Sequence, residues 1–386
     1  MPTPKTKELV AIFGYLNNHA TAALEELAHS NPAYSVKFYY LLDFPAFRAE
    51  NNWKIPAGAQ KLCLKHPAKL LRGIRHAISA PNIYFHGFTT PRFYMALLLW
   101  IVIHLGKCQR ILVASEGLKK NPGKSMRLFL RYLLNHKKIV HLGIGAGASN
   151  DFYNIGFKKW TFLKYAFCEK YDSEQQRLVD SKTADGSGPF KILSVGQLIE
   201  RKNHSRLIRA ISLLSDPTKV IVDIAGSGPL EEDLTAEVNL LSIKDQIKFR
   251  GFCDHATLNQ LFSEADLFVL QSHYDGWGVV VGHAAHFGLP IIVSPRVRSG
   301  EGFLVEPSVN GFITPSDREL ADRIEELLID IPLRTSMRQR SLELAKLWGV
   351  KSVAKRLGQL LENPSVVFET GPFSSGSLHE RLRSHD

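Results

Sequence analysis

Apolar residues in this chain alternate between short runs and longer stretches in which they return every three or four positions, most clearly after residue 190. The runs Phe190 to Val195, Val220 to Ala225, Ile247 to Gly251, Asp266 to Gln271 and Leu289 to Ser294 read as strands. Between them, Leu207, Ile208, Ile211 and Leu214 share one face of a helix over Asn203 to Leu214. Further helices are expected from about Leu230 to Leu241, over His255 to Ala265 and over Val279 to Phe287. Ser316 with Glu319 has capping-box spacing and opens a helix ending near Ile329. Strands alternating with helices imply a parallel sheet covered on both faces, whose ligands bind at the carboxyl ends of its strands. The turns after Val195, Ala225 and Gln271 all fall at such ends.

The first half is patterned less sharply. Val10 to Phe13, Ser35 to Leu41, Asn82 to Phe85, Arg110 to Ala114 and Lys138 to Gly143 read as strands of a second α/β domain. The stretch Ser181 to Pro189, SKTADGSGP, has linker composition. The expected organisation is a first domain over 1–185, a second over 186–345, a C-terminal helix over 346–362 and a flexible Ser/Gly/Pro-containing tail over 363–386. The longest apolar run, Phe93 to Ile103, is too short to span a bilayer and reads as a buried helix rather than a membrane-dipping one.

A chain of 386 residues, 45% hydrophobic and 22% charged, suits two soluble domains. Its four cysteines have neither CxxC nor Cys/His ligand spacing, which points to a reducing compartment and gives no metal or disulfide signal. The N-terminus lacks a signal-peptide pattern. Charge is uneven. Residues 1–190 hold 26 Lys and Arg against 12 Asp and Glu, whereas residues 191–386 hold 22 against 25. A basic first half suggests an anionic partner: a membrane surface, a nucleic acid or a phosphorylated acceptor. Nucleic acid is disfavoured, because no zinc-finger spacing, RNP-like aromatic signature or long basic helix accompanies the charge. Lys61, Lys65, Lys69, Arg72 and Arg75, interleaved with leucines, form a basic amphipathic segment, suited to a membrane or to a plain surface helix.

The most informative local feature is Asp275-Gly276-Trp277-Gly278, between an apolar strand and an apolar helix. Two glycines at a strand-to-helix turn let backbone N–H groups approach a ligand, and the helix N-terminus behind them favours phosphate. Asp275 adds a carboxylate that accepts hydrogen bonds from hydroxyls. An anion site beside a hydroxyl site is what a nucleotide sugar requires.

The segments KILSVGQLIERKN (191–203), IAGSGPL (224–230), FRGF (249–252), DGWGVVVGHAAHFGLPIIVS (275–294) and NGFITP (310–315), in this order and spacing, resemble glycosyltransferase family 4. GIGAGASNDFY (143–153) is similar to a first-domain segment of some members. The resemblance implies retaining enzymes of the GT-B fold, α/β proteins with two Rossmann-like domains facing across a cleft. On it, Lys202 falls at the position of the lysine that pairs with the donor diphosphate, where it would neutralise charge on the leaving group. The family's arginine after the strand-end glycine is replaced by Gln197, with Arg201 positioned to compensate. Asp275 takes the first acidic position of the E-x7-E pattern, near the transferred sugar, although Asp there also suits a helix N-cap. His283 stands at the second, where the family has a ribose-binding glutamate. Gly196, Gly226 and Gly228, with Gly276, Trp277 and Gly278, complete the implied donor site. In the first domain, His86 matches the strand-end histidine beside the reacting sugar, and Gly14 weakly matches the acceptor-side glycine loop.

The resemblance implies a retaining glycosyltransferase that moves a sugar from a nucleoside-diphosphate sugar to a hydroxyl. The expected acceptor is a glycan or lipid-linked glycan in bacterial surface polysaccharide or lipopolysaccharide assembly. The chain is expected to be cytoplasmic and peripheral on the inner membrane face, with an anionic membrane as partner and no nucleic acid. No cofactor and no metal are expected, consistent with the lack of a DxD-like motif at the glycine turns. A non-catalytic nucleotide-sugar-binding protein and a GT-B-like sugar-nucleotide epimerase are the alternatives.

Overall fold

The computed structural model describes residues 7–16, 18–43, 55–63, 66–87, 92–108, 110–116, 123–154, 161–181, 188–300, 302–363 and 365–377. The chain forms two units, Met1–Lys170 with Gly349–Asp386, and Tyr171–Trp348. In chain order the first unit contains β1 (Lys7–Tyr15), α1 (Asn18–Ser30), β2 (Tyr34–Leu42), β3 (Gln60–Lys61), α2 (Pro67–Ser79), β4 (Asn82–His86) and α3 (Arg92–Leu105). It continues with β5 (Arg110–Ser115), α4 (Lys124–Leu134), β6 (Ile139–Ile144), α5 (Ala148–Asn154) and β7 (Thr161–Tyr165). The second unit runs α6 (Ser173–Ser181), β8 (Phe190–Val195), α7 (His204–Ser212), β9 (Val220–Ala225), α8 (Glu231–Leu240), β10 (Ile247–Gly251) and α9 (His255–Glu264). It ends with β11 (Leu267–Leu270), α10 (Val279–His286), β12 (Ile291–Val293), β13 (Gly311–Ile313), α11 (Asp317–Ile329) and α12 (Ile331–Leu347). The chain then returns to the first unit with α13 (Val350–Glu362) and β14 (Ser375–Ser377).

The second unit is a parallel sheet in the order β10-β9-β8-β11-β12-β13. Chain order reverses between β8 and β11, so a crevice opens where their carboxyl ends diverge. The inner strands β8, β9 and β11 are buried on both faces and are therefore mostly apolar, whereas the edge strand β10 alternates exposed Lys248 and Arg250 with inward Ile247 and Phe249. Leu207, Ile208 and Ile211 of α7 pack against Ile192, Val222 and Ile224, as the helical spacing predicts. Ser316 Oγ accepts from the Glu319 N–H at 3.2 Å, which opens α11 where the capping pattern places it. Asp254 and Asp330 cap α9 and α12 in the same way.

The first unit repeats the plan in the order β14-β7-β6-β5-β4-β1-β2-β3, parallel except for β14, which runs antiparallel to β7. Its reversal lies between β1 and β4, where Phe13 pairs with His86. On one sheet face, α2, α3 and α4 bury Ala77, Leu99, Val102 and Leu133 against Val10, Ile83 and Val113.

Several sequence expectations change. The division falls between Lys170 and Tyr171, not at residue 185, because α6 packs on α9 and Arg338 donates to the Val179 carbonyl at 3.1 Å. Residues 182–187 of the expected linker lie outside the described residues. The expected C-terminal helix belongs to the first unit. It packs on α1, and its Gly358 and Leu360 carbonyls accept from Tyr34 Oη and Arg110 Nη1. The expected flexible tail forms β14 over Ser375–Ser377, held by Phe373, which is buried against Tyr165. Residues 378–386 lie outside the described residues.

The basic segment is not one helix. Lys61 belongs to β3 and bonds Asp43, α2 begins at Pro67, and Lys65 lies outside the described residues. The apolar run after Phe93 is buried on only one side, since Phe93, Tyr94, Leu97 and Trp100 are exposed. No helix among the described residues is long and apolar enough to cross a membrane.

Candidate active site

The loops leaving β8, β9 and β11 are bound to one another by backbone, and glycine makes the approach feasible. Gly196 N–H donates to the Ala225 carbonyl at 2.9 Å, and Leu198 N–H to the Ser227 carbonyl at 3.0 Å. Gly226 sits at φ 149°, and a Cβ there would stand 2.0 Å from the Gly196 oxygen. A Cβ on Gly228 would meet the Leu198 oxygen at 2.4 Å. These two glycines thus serve loop-to-loop contact, and the wall they build lies at the carboxyl end of the sheet.

After Gly196 the chain makes a 3-10 turn over Glu200–Lys202, ended by Asn203 in the left-handed conformation. The Asn203 amide donates to the Gln271 carbonyl at 3.2 Å and fastens this turn to the end of β11. Lys202 folds back over Gly196, where a Cβ would meet its methylenes at 3.2–3.3 Å. Its Nζ lies 2.5 Å from Asp275 Oδ2, with both side chains only 12% exposed. The Ser272 hydroxyl donates to the same oxygen at 3.3 Å, and Arg201 stands 3.7 Å from it while donating to the Tyr274 carbonyl. Two cations and one carboxylate therefore converge where the sheet order reverses. The site carries net positive charge, and an incoming anion would compete with Asp275 for the Lys202 ammonium.

The glycine turn closes the other side. Gly278, at φ 72°, is the residue before α10 and offers no side-chain cap, so Asp275 is not that helix's N-cap. Asp275 is instead held by backbone: its N–H donates to the Arg296 carbonyl and its carbonyl accepts from Arg298 N–H, both at 3.2 Å. Trp277 is buried, edge-on to Phe303 at 5.5 Å, so its indole packs inward and only its backbone faces the turn. His283, in the second turn of α10, stacks on Phe262 at 5.7 Å and meets Tyr171 edge-on at 5.5 Å.

His86 ends β4 in the first unit, beside the end of β1 that carries Gly14. Its ring stacks on Phe13 at 5.2 Å, faces Phe167 at 5.5 Å and has the Tyr84 hydroxyl 2.9 Å from Nδ1. The ring keeps partial solvent access, yet enclosure by these aromatics pushes its pKa down to about 3. His86 is thus a neutral hydrogen-bonding group, not a cation. Nδ1 is engaged by the Tyr84 hydroxyl, which is itself bonded to Tyr165, and either side of the Tyr84–His86 contact can supply its hydrogen.

Three residues near the second-unit site escape sequence reading: Ser272, Arg298 and His204. Arg298 stacks on the Tyr274 ring at 5.2 Å, and the Pro- and Arg-rich loop after β12 was the signal available for it. His204 is buried beneath the Lys202 turn, with Nε2 3.2 Å from the Gly196 oxygen. Burial pushes its pKa down to about 4. Since His86 and His204 both titrate lower when folded, the unfolded chain takes up their protons first as pH falls. Stability is therefore full above about pH 6.5 and falls on acidification toward the folded values, by up to about 1.4 kcal/mol per pH unit per histidine. Denaturant titrations from neutral pH to pH 5 should show this slope, and His204→Gln should flatten it. An unchanged slope in that variant would refute this assignment.

Residues 176–343 match the family model described as glycosyl transferases group 1. An uncharacterized glycosyltransferase of Methanocaldococcus jannaschii is 34% identical over 120 residues, 31% of this chain and 30% of that protein. An N-acetylgalactosamine-N,N'-diacetylbacillosaminyl-diphospho-undecaprenol 4-alpha-N-acetylgalactosaminyltransferase of Campylobacter jejuni is 25% identical over 62% of this chain and 64% of its own length. Both matches span less than two thirds of the relative. Among solved structures, Anabaena HepE in complex with UDP superposes with a TM-score of 0.69 at 16% identity, over 92% of this chain and 100% of that one. The likeness to glycosyl transferases group 1 thus covers residues 176–343, and the two sheet units have the GT-B fold.

Proposed function

We propose that this chain is a retaining glycosyltransferase that uses a nucleoside-diphosphate sugar. The observation that carries the reading is the convergence of Lys202, Arg201 and Asp275 at the reversal point of the second-unit sheet, beside the glycine turn that opens α10. In this reading the donor diphosphate takes over the Lys202 ammonium and lies against the backbone N–H groups at Gly276 to Gly278. Asp275, relieved of its lysine, orients hydroxyls of the sugar. His283 would meet the ribose by its ring edge, because Phe262 covers one face. His86, neutral, would hydrogen-bond the reacting sugar. Gly196, Gly226 and Gly228 hold the loops that wall the nucleotide side.

The acceptor oxygen attacks the anomeric carbon on the face the diphosphate leaves. The carbon–phosphate-oxygen bond breaks, the new glycosidic bond forms, and the acceptor's proton passes to the departing phosphate oxygen. Lys202, Arg201 and the helix terminus stabilise the charge that develops there, work that a metal does in other transferases. UDP is the first nucleotide to test, because HepE is known with UDP bound. The acceptor proposed is a glycan or lipid-linked glycan in bacterial surface polysaccharide assembly, at the cytoplasmic membrane face. The undecaprenol-linked substrate named for the Campylobacter relative supports this choice.

The test is donor turnover followed by NMR, with and without lipid-linked and free glycan acceptors, in chelator. Acceptor-dependent product that keeps the donor's anomeric configuration is expected. Inverted product, loss of activity in chelator, or donor epimerised without acceptor would each contradict part of the proposal.

A further inference from the structure

We propose that the outer face of α3 and α4 docks on an anionic lipid bilayer. Helix α3 has two unlike sides. Met95, Leu98, Leu99 and Val102 enter the first-unit core, while Phe93, Leu97, Trp100 and His104 form one outward stripe at helical spacing. Phe93 is 59% and Trp100 39% exposed. The stripe continues onto α4. Trp100 lies 5.0 Å from the His104 ring, which stacks on Tyr132 at 6.2 Å and lies 3.3 Å from its hydroxyl. Leu128, one turn before Tyr132, is exposed as well. Two adjacent helices thus present a continuous aromatic and aliphatic band to solvent, and such bands mark interaction surfaces.

Charge selects the partner. Residues 51–150 contain sixteen Lys and Arg and a single acidic residue, Glu116. None of α2, α3 and α4 carries an acidic side chain. Helix α3 packs between the other two, which place exposed Lys69, Arg72 and Arg75 on one flank and Lys124 and Arg131 on the other. Apolar rings between cationic flanks fit a bilayer surface. Trp and Tyr settle at the headgroup level, and each cation adds roughly fivefold to partitioning onto anionic lipid. The 14-residue α3 would lie in the interfacial plane, not across it. This moves the basic amphipathic feature from residues 61–75 to a surface centred on α3, with α2 supplying part of the rim.

The inference deepens the lipid-linked-acceptor reading and rests on it only for what is glycosylated. Its test reads lipid binding without a sugar donor, so either idea can fail while the other stands. The full chain is floated with phosphatidylcholine vesicles and with vesicles containing about 30% phosphatidylglycerol. Binding to the mixed vesicles, weaker by about tenfold or more on pure phosphatidylcholine, is expected. Phe93→Ser/Trp100→Ser and Lys69→Gln/Arg72→Gln/Arg75→Gln should each lower binding by about tenfold or more, with melting unchanged. Phe93→Ser alone, at an exposed site, serves if the double variant unfolds. Absent binding, equal binding to both vesicles, or wild-type binding by the folded variants would overturn the proposal. So would a lipid-free dimer abolished by Trp100→Ser, which would assign the face to a second copy of this chain.

Discussion

Replacing Lys202 with alanine is expected to lower sugar transfer by about a hundred- to a thousandfold, the range seen when one preorganised charge stabiliser is lost. The effect should fall mainly on the chemical step, since Lys202 meets the charge that grows on the leaving diphosphate. Stability should drop as well, because the variant strands Asp275, whose side chain is only 12% exposed. Ser272 at 3.3 Å and Arg201 at 3.7 Å remain to hold that carboxylate, so the loss should be about 1–3 kcal/mol and the fold should persist. Arg201→Ala, at a more exposed position, should have a smaller effect on both quantities. Donor consumption by chromatography and unfolding by denaturant separate the two consequences. Near wild-type turnover in folded Lys202→Ala would remove the lysine from the chemistry.

The largest structural effect is expected at Gly226. Alanine there would place a Cβ 2.0 Å from the Gly196 oxygen and 2.7 Å from its carbon, at a backbone angle that only glycine adopts readily. Neither neighbour can retreat without breaking the hydrogen bond from Gly196 to the Ala225 carbonyl. A loss of about 3–5 kcal/mol is expected, with the Lys202 turn displaced along with Gly196. Gly251→Ala is the control. Gly251 also has positive φ, but a Cβ there meets nothing within 4 Å, so only the left-handed penalty of about 1–2 kcal/mol should appear. Equal losses in the two variants would show that loop crowding contributes little.

The strands Phe190–Val195 and Val220–Ala225 were legible as mostly apolar runs followed by glycine, as doubly covered parallel strands are, and Ile247–Gly251 by the alternation of an edge strand ending in glycine. The short strands β13 and β14 were not, since three residues carry no period. The membership of α13 was hidden for another reason. Its docking on the first unit depends on contacts more than three hundred residues apart, such as that from Tyr34 Oη at the start of β2 to the Gly358 carbonyl.

The exposed band on α3 was misread because an all-apolar helix looks alike whether one side or both are buried. At the site, Lys202 was marked by the resemblance to the family's motif and Asp275 by its place at the glycine turn as well. Their 2.5 Å ion pair, the Ser272 support and the nearness of Arg298 arise only when the loops after β8, β11 and β12 meet. The buried His204 likewise looked like any helix-start histidine until Gly196 was placed above it.

The central claim is that the Lys202 and Asp275 crevice holds a nucleoside-diphosphate sugar. It is tested most directly by thermal shift of the full chain against UDP-, GDP-, ADP- and dTDP-sugars, repeated with Lys202→Ala. The account predicts that at least one donor raises the melting temperature of the wild-type chain and that the same donor fails to raise that of the variant. A wild-type chain unmoved by every donor, or a variant stabilised as strongly as wild type, would contradict it.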